Sequence, residues 1–360
     1  MSARGIRFGL ASLLCACAAA LVLFTGVHAT SETLPSKLSD QEYWKLVTEL
    51  SEPDGWFRSD NLLSNEIWMQ YVIPELTRTV KPGRVYMGVG PEQNFTYIAA
   101  VKPRMVFIVD IRRGNMDLQL MYKALFESSS DRVEFVSRLF SRKRPEGLAG
   151  AATAQDIFTA FMKVEPTEAA FKDNLKAIDD RLTKKHGFAL SDVDLGNVEN
   201  IYKAFYTYGP GLQYSSTGGF GGRAQPTYAD LMTATDGTGQ NRSYLASEET
   251  FTTIKKLEAD NLIVPVVGDF AGPKAIRAVG KYLKERGGIV SAFYLSNVEQ
   301  YLAQQDKYPA FCANVAALPL DETSRFIRAT RSNNGGYYGR GFGLTTELGE
   351  MATEVKACAQ

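Results

Sequence analysis

With 360 residues, 45% hydrophobic and 22% charged, the chain has ordinary globular composition and enough length for one large core or two modest ones. Its 40 basic and 40 acidic residues balance, so no positive surplus points to nucleic acid and no acidic tract to a charged partner. Two histidines in the whole chain exclude a His-rich zinc site or a Cys/His cluster.

The first 29 residues read as a secretory leader. Arg4 and Arg7 precede an almost wholly apolar run from Phe8 to Gly26, and Val27-His28-Ala29 offers a cleavage position. An uncleaved membrane anchor is the alternative, since the run could just span a bilayer. A lipoprotein signal at Cys17 fits less well, because the segment after it stays apolar. Leader and anchor alike put the body outside the cytoplasm, periplasmic or secreted, with a membrane as partner only if the leader stays. Losing it leaves 38 basic residues against 40 acidic, Cys312 and Cys358, and His186. In an oxidising compartment the two cysteines are a candidate disulfide tying down the C-terminal tail; two buried thiols are the other reading. His186, in "LTKKHGFAL" just before Gly187, reads as a helix C-terminal residue rather than a catalyst. A carboxylate-only metal site has no signature here, so no metal is expected.

N-terminal helices and a polar loop occupy 30–83. Ser39 and Glu42 have capping-box spacing ahead of helical periodicity. "EPDGWFRSDNLLSNE" reads as a polar loop and Ser64 to Val80 as a helix ended by Lys81-Pro82-Gly83. From 84 onward an α/β pattern begins. Arg84 to Val89 reads as a buried strand, Pro91 to Val101 as a helix and Met105 to Asp110 as a second buried strand. A helical insertion follows over about 114–204, then a glycine-rich loop, "YGPGLQYSSTGGFGGRAQP". Ser247 caps a further helix, "LIVPVVGDF" is a third strand, a helix opens near Pro273, "IVSAFYL" is a fourth strand and "SRFIRAT" a fifth. The alternation predicts an open, doubly wound, mostly parallel sheet, whose ligands bind beyond the C-terminal strand ends.

Gly88-Val89-Gly90-Pro91-Glu92-Gln93 follows the first strand, and glutamine replaces the third glycine of the dinucleotide fingerprint. A pyrophosphate wants free N–H groups at a helix start, but Pro91 has none and Glu92 adds a carboxylate. Both features count against NAD, FAD and ATP, and no Walker-type loop occurs. S-adenosylmethionine suits the loop better, because it carries no phosphate and its cationic groups favour a nearby acid. Asp110, at the tip of the second strand, is placed for ribose hydroxyls. Gln93 and Asn94 complete the candidate cofactor contacts. A plain strand-turn-helix with Asp110 solvated is the alternative, and Arg112 with Arg113 keeps an NADP-like site as a minor one.

The stretch from Trp56 through Arg144, with "SDNLLSNE", "GVGPEQNFTYIA", "FIVDIRRGN" and "YKALFE", resembles a family of uncharacterised bacterial proteins with a class I methyltransferase-like core. "RSYLASEETF" and "NLIVPVVGDFAGPKAIRAVGKYLKERGGIVSAFYLSNVEQYL" look like the same family. The resemblance implies a methyltransferase-like Rossmann fold and a pocket, without a reaction. Tyr86 and Met87 stand where methyltransferases carry an acid before the first glycine. Gly268-Asp269-Phe270 replaces the Asn/Asp-Pro-Pro-Tyr stretch used on base amino groups, so nucleic acid is not the expected substrate.

Asp269, after the third strand, is the candidate catalytic base, or else a cap of the next helix. Ser296 and Asn297 after the fourth strand are candidate substrate contacts or helix caps, with Glu299 and Tyr301 beside them. Asp60, Asn61, Asn65 and Glu66 in the polar loop are candidate substrate contacts, or a solvated stretch with Ser64 capping its helix. The loop around Gly218 to Gly222 is a candidate mobile cover, and Tyr206, Tyr208 and Tyr214 read as packing residues. Methyl transfer to a small molecule is the first functional expectation. Its cofactor is made in the cytoplasm and the leader points outward. A non-catalytic metabolite-binding or docking protein on the same fold is therefore the alternative.

Overall fold

Alternating buried strands and helices assemble as the periodicity requires. The computed structural model describes residues 33–148, 150–214, 216–217, 225–331 and 344–358. The leader, the Gly218–Gly222 loop and its expected role as a cover lie outside the described residues, apart from flanking positions. In chain order the helices and strands are α1 (Asp40–Leu50), α2 (Ile73–Thr79), β1 (Val85–Gly88), α3 (Gln93–Val101), β2 (Met105–Asp110), α4 (Arg113–Ser128) and α5 (Arg132–Leu139). There follow α6 (Ala154–Phe161), α7 (Glu168–Asp179), α8 (Asp192–Tyr208), α9 (Tyr228–Thr233), α10 (Glu248–Ala259), β3 (Ile263–Val267), α11 (Ala275–Glu285) and β4 (Val290–Ser296). The chain closes with α12 (Val298–Gln304), α13 (Tyr308–Ala316), β5 (Arg325–Arg331), β6 (Leu344–Glu350) and α14 (Met351–Cys358).

The sheet order is β3-β2-β1-β4-β5-β6. All neighbouring pairs are parallel except β5 with β6. The chain moves from β1 outward through β2 to β3, then returns across the sheet to β4. Right-handed crossovers therefore put α3, α4 and α10 on one face and α11 with α13 on the other. Contacts agree: α10 packs on α3 and α4, and α11 packs on α13. The fold is α/β, mostly parallel and Rossmann-like. β1, β2 and β3 are buried along their whole length, as strands covered on both faces must be. Phe95, Phe126, Phe135, Tyr244 and Phe251 interlock beneath α3, with Phe126 and Phe135 stacked 4.4 Å apart. Residues 32–360 form one compact unit, so the N-terminal helices belong to the same body as the sheet.

Local signals hold where they are local. Ser39 and Glu42 form the capping box of α1, and Ser247 caps α10. The single helix expected from Ser64 to Val80 is instead a 3-10 turn at Met69–Val72 followed by α2, because Pro74 fits only a first helical turn. The helical stretch extends past 204 through α9 and α10 to β3. His186 follows a π-helical turn, where Nδ1 lies 2.7 Å from Asp40 and Nε2 2.8 Å from Glu127. It clamps α1 to α4 and lies away from the C-terminal strand ends. Cys312 of α13 and Cys358 of α14 are joined in a disulfide, with Cα atoms 5.8 Å apart. No helix among the described residues is long and apolar enough to cross a membrane.

The approach to α11 is set by an acid from far upstream. Glu52 accepts from the backbone N–H groups of Lys274 and Ala275 at 2.8 Å and of Asp269 at 3.1 Å. Glu52→Ala would leave three orphan donors, so unfolding in urea should show a loss of about 2–3 kcal/mol. A loss under about 0.5 kcal/mol would mean that solvent replaces the cap.

Candidate functional site

The winding reverses between β1 and β4, and a cavity of about 940 Å³ opens above the strand ends there. Gly90 after β1, Asp110 at the end of β2, Asp269 after β3 and Ser296 with Asn297 at the end of β4 all line it. The polar loop between α1 and α2 supplies the opposite wall through Phe57, Arg58, Asn61, Asn65 and Glu66. That loop is pinned to the end of β2. Gly55 N–H donates to Ile111 O at 2.9 Å, Arg113 N–H to Asp54 at 2.7 Å, and Arg112 Nη1 to Asp60 O.

The glycine turn is a buried scaffold that meets the cavity at Gly90. A Cβ on Gly88 would stand 1.9 Å from Asn94 Oδ1, so only glycine fits. Asn94 is fully buried. Its Nδ2 donates to Val89 O at 2.9 Å and Pro91 O at 2.8 Å, while Tyr86 OH donates to its Oδ1 at 2.9 Å. Gly90 adopts φ +77°, and it alone of the two glycines meets the cavity. Gly88 and Asn94, expected to touch a cofactor, lie behind it.

Glu92 does not occupy its expected place. Rather than facing a cation in the crevice, it is fully buried under the loop, where its Oε1 accepts from Ser64 N–H at 3.2 Å. Burial pushes its carboxyl up to about 8, so the group is neutral at pH 7. Ser64 does not cap a helix either; its Oγ accepts from Glu66 N–H at 3.0 Å. Gln93, in place of the third fingerprint glycine, does line the crevice, and its Nε2 donates to Tyr294 OH at 2.8 Å.

Asp110 is 4% exposed and its Oδ1 accepts from Arg112 N–H at 3.0 Å. Burial raises its carboxyl above the ordinary range, and the Arg112 guanidinium opposes that rise. Asp269 caps no helix, since Glu52 holds that position. Its Oδ1 accepts from Ala271 N–H at 2.9 Å and its Oδ2 is paired with Lys307 at 3.0 Å. Asp60 is exposed and outside the lining, touching the site only through its carbonyl. Glu299 faces away and pairs with Arg328 at 2.5 Å. The charged lining, among described residues, is thus Glu66, Asp110 and Asp269 against Arg58 and Lys307.

Glu66 lies at the inner end, 2% exposed. Its Oε1 accepts from Tyr294 OH at 2.6 Å and Ser296 Oγ at 2.5 Å, and burial raises its carboxyl above the ordinary range. At the mouth, the Phe57 and Tyr301 rings meet edge-on at 5.2 Å, and Arg58 donates to Tyr301 OH at 2.7 Å. Sequence reading missed Tyr294, because it sits inside an apolar strand. It also missed Phe57, Arg58 and Lys307, which carry no local signal, and it assigned Tyr214 to packing, although that ring lines the cavity. No group of three or more His, Cys, Asp and Glu side chains able to hold a metal occurs among the described residues.

A family model described as a domain of unknown function, DUF7790, matches residues 62–209 and 210–349. The chain belongs to that family. The matched segments include every strand end around the crevice and the loop from Leu62 to Glu66. No curated protein matches the chain.

The neutral state of Glu92 has a measurable consequence. Its folded value near 8 exceeds that of an unfolded glutamate, near 4.3, so the folded state holds the extra proton between them. Stability attributable to this group is therefore greatest at low pH and falls as pH rises from about 5 to 8. Glu92→Gln should be close to neutral at pH 5. At pH 8.5 it should be more stable than the parent by at least about 1 kcal/mol, read from urea midpoints at both pH values. Equal midpoint shifts at the two pH values would place the charge in contact with water.

Proposed function

We propose that the crevice binds an adenosyl ligand and that the protein is an S-adenosylmethionine-dependent methyltransferase acting on a small molecule. One observation carries this reading: Gly90 and Asp110 border one cavity, while several amides at the turn between strand and helix are missing or turned away from a phosphate. Pro91 has no N–H, Asn94 N–H turns toward Pro91 O at 3.4 Å, and Phe95 N–H donates to Glu92 O at 2.9 Å. Asp110 stands where ribose hydroxyls would be accepted. The acidic character that favours a sulfonium comes from Glu66, Asp110 and Asp269 instead of Glu92. Methyl transfer asks the protein chiefly for positioning, which a preformed crevice supplies without a proton relay. A second reading, a non-catalytic metabolite-binding protein of the same fold, draws support from Asp269. The expected catalytic base is held by Lys307.

Thermal shift separates the two. S-adenosylhomocysteine at about 100 times its dissociation constant should stabilise the protein by about 2.7 kcal/mol, a rise of several degrees in Tm. ADP and NADH should give no rise, and Asp110→Ala should remove the response to S-adenosylhomocysteine. Stabilisation by ADP equal to that by S-adenosylhomocysteine, or by neither, would discard the methyltransferase reading.

A further inference from the structure

Among the described residues that line the crevice, three buried side-chain atoms lack a hydrogen-bond partner: Asn61 Oδ1, Glu66 Oε2 and Gln93 Oε1. All three are acceptors. A buried acceptor without a donor is costly, and native proteins rarely leave several at one place.

The network around them fixes their identity. Tyr294 OH has one hydrogen, which it donates to Glu66 Oε1 at 2.6 Å. Its lone pair therefore takes the hydrogen of Gln93 Nε2 at 2.8 Å. That arrangement orients the Gln93 amide with Oε1 left over. Ser296 Oγ occupies Glu66 Oε1 from the other side at 2.5 Å, which leaves Oε2 as the free oxygen. No ion pair joins Glu66 to a lysine or arginine among the described residues, so none of them offsets its charge by direct contact.

The backbone is bent to build this arrangement. Ser296 adopts φ +50°, a region that non-glycine residues enter at a cost, and the pairing of β4 with β5 slips in register between Tyr294 and Ser296. Both irregularities bring the Ser296 hydroxyl onto Glu66, 230 residues away in the chain. Asn61 also sits at φ +46°. The Ser296 backbone strain, beside Glu66, marks this part of the cavity wall as a built site.

We propose that the Glu66 and Gln93 oxygens at the inner end of the crevice, with Asn61 also on its wall, recognise the protonated primary amine of a small-molecule ligand. The proposal rests on the crevice being a small-molecule site and not on that molecule being an adenosyl compound. A primary ammonium brings three donors and no acceptor, matching three unpartnered oxygens and the Glu66 carboxylate. An alcohol of the same size brings one donor and turns lone pairs toward the remaining oxygens. The carbon chain of such an amine would run outward past the Phe57 and Tyr301 rings toward the mouth. The amine has two sources: the amino group of an adenosyl amino acid, or a separate amine ligand.

The test is calorimetric titration of the whole protein with n-butylamine and n-butanol, and with S-adenosylhomocysteine and 5′-methylthioadenosine, which lacks the amino acid. Parent, Glu66→Gln and Gln93→Met are compared, with circular dichroism confirming that each variant is folded. The Glu66→Gln side chain keeps an oxygen for Tyr294 and Ser296, and Gln93→Met removes only the amide. If the amine belongs to a separate ligand, butylamine binds at least about ten-fold tighter than butanol, Glu66→Gln abolishes the difference and Gln93→Met reduces it several-fold. If it belongs to the adenosyl ligand, Glu66→Gln weakens S-adenosylhomocysteine at least about ten-fold and leaves 5′-methylthioadenosine unchanged. Either pattern supports the site. Butylamine that fails to outbind butanol, together with S-adenosylhomocysteine indifferent to Glu66→Gln, overturns it. Amine preference without any adenosyl binding would retain the amine site while the methyltransferase reading falls.

Discussion

The reversal of winding between β1 and β4 is the constraint on which the rest of the molecule depends. Two adjacent parallel strands send their following segments to opposite faces of the sheet. Nothing in either segment can then cover the gap above the strand ends. The result is a crevice whose floor is a row of strand termini, which deliver Gly90, Asp110, Asp269 and Ser296 with Asn297. These positions are scattered widely along the chain, and only the parallel arrangement brings them into one line.

Three glutamates then fasten the loop that walls the crevice. Glu52 satisfies the N-terminal amides of α11, Glu92 holds the Ser64 amide and Glu66 gathers the Tyr294 and Ser296 hydroxyls. The segment from Glu52 to Glu66 is thus attached to the sheet largely through polar contacts, with Leu62 and Leu63 as its buried apolar anchors. Polar attachment has a physical logic at a binding site. It fixes side-chain direction more narrowly than apolar packing does, because hydrogen bonds are directional and hydrophobic contact is not. Where such a network is incomplete, as at Glu66 Oε2, the deficit points to what is to be bound.

Much of the fold is legible in the sequence, for identifiable reasons. β1, β2 and β3 lie between two layers of helices, so their sequences are unbroken apolar runs, and β2 falls on the expected boundaries, Met105 to Asp110. The caps of α1 and α10 are legible because a capping box lies within four consecutive residues. β6 and α14 are not. β6 alternates weakly between half-buried and exposed positions at the edge of the sheet, so it carries little apolar signal. At the site, Gly90, Gln93, Asp110, Asp269, Asn61, Asn65, Glu66, Ser296 and Asn297 all line the crevice. Gly88, Glu92, Asn94 and Asp60 do not. Glu92 shows why: its neighbours along the chain locate it at a helix start, but which side of the turn it occupies depends on Ser64, 28 residues away.

By itself the sequence determined the five parallel strands, the local caps, the glycine turn and the absence of a phosphate-binding pattern, because each is set by chemistry within a few residues. Tertiary structure alone decided which polar groups face the cavity, which carboxyls burial pushes upward and which oxygens lack partners. Those properties depend on burial and on contacts between residues remote in the chain, and burial is a property of the folded body rather than of any segment.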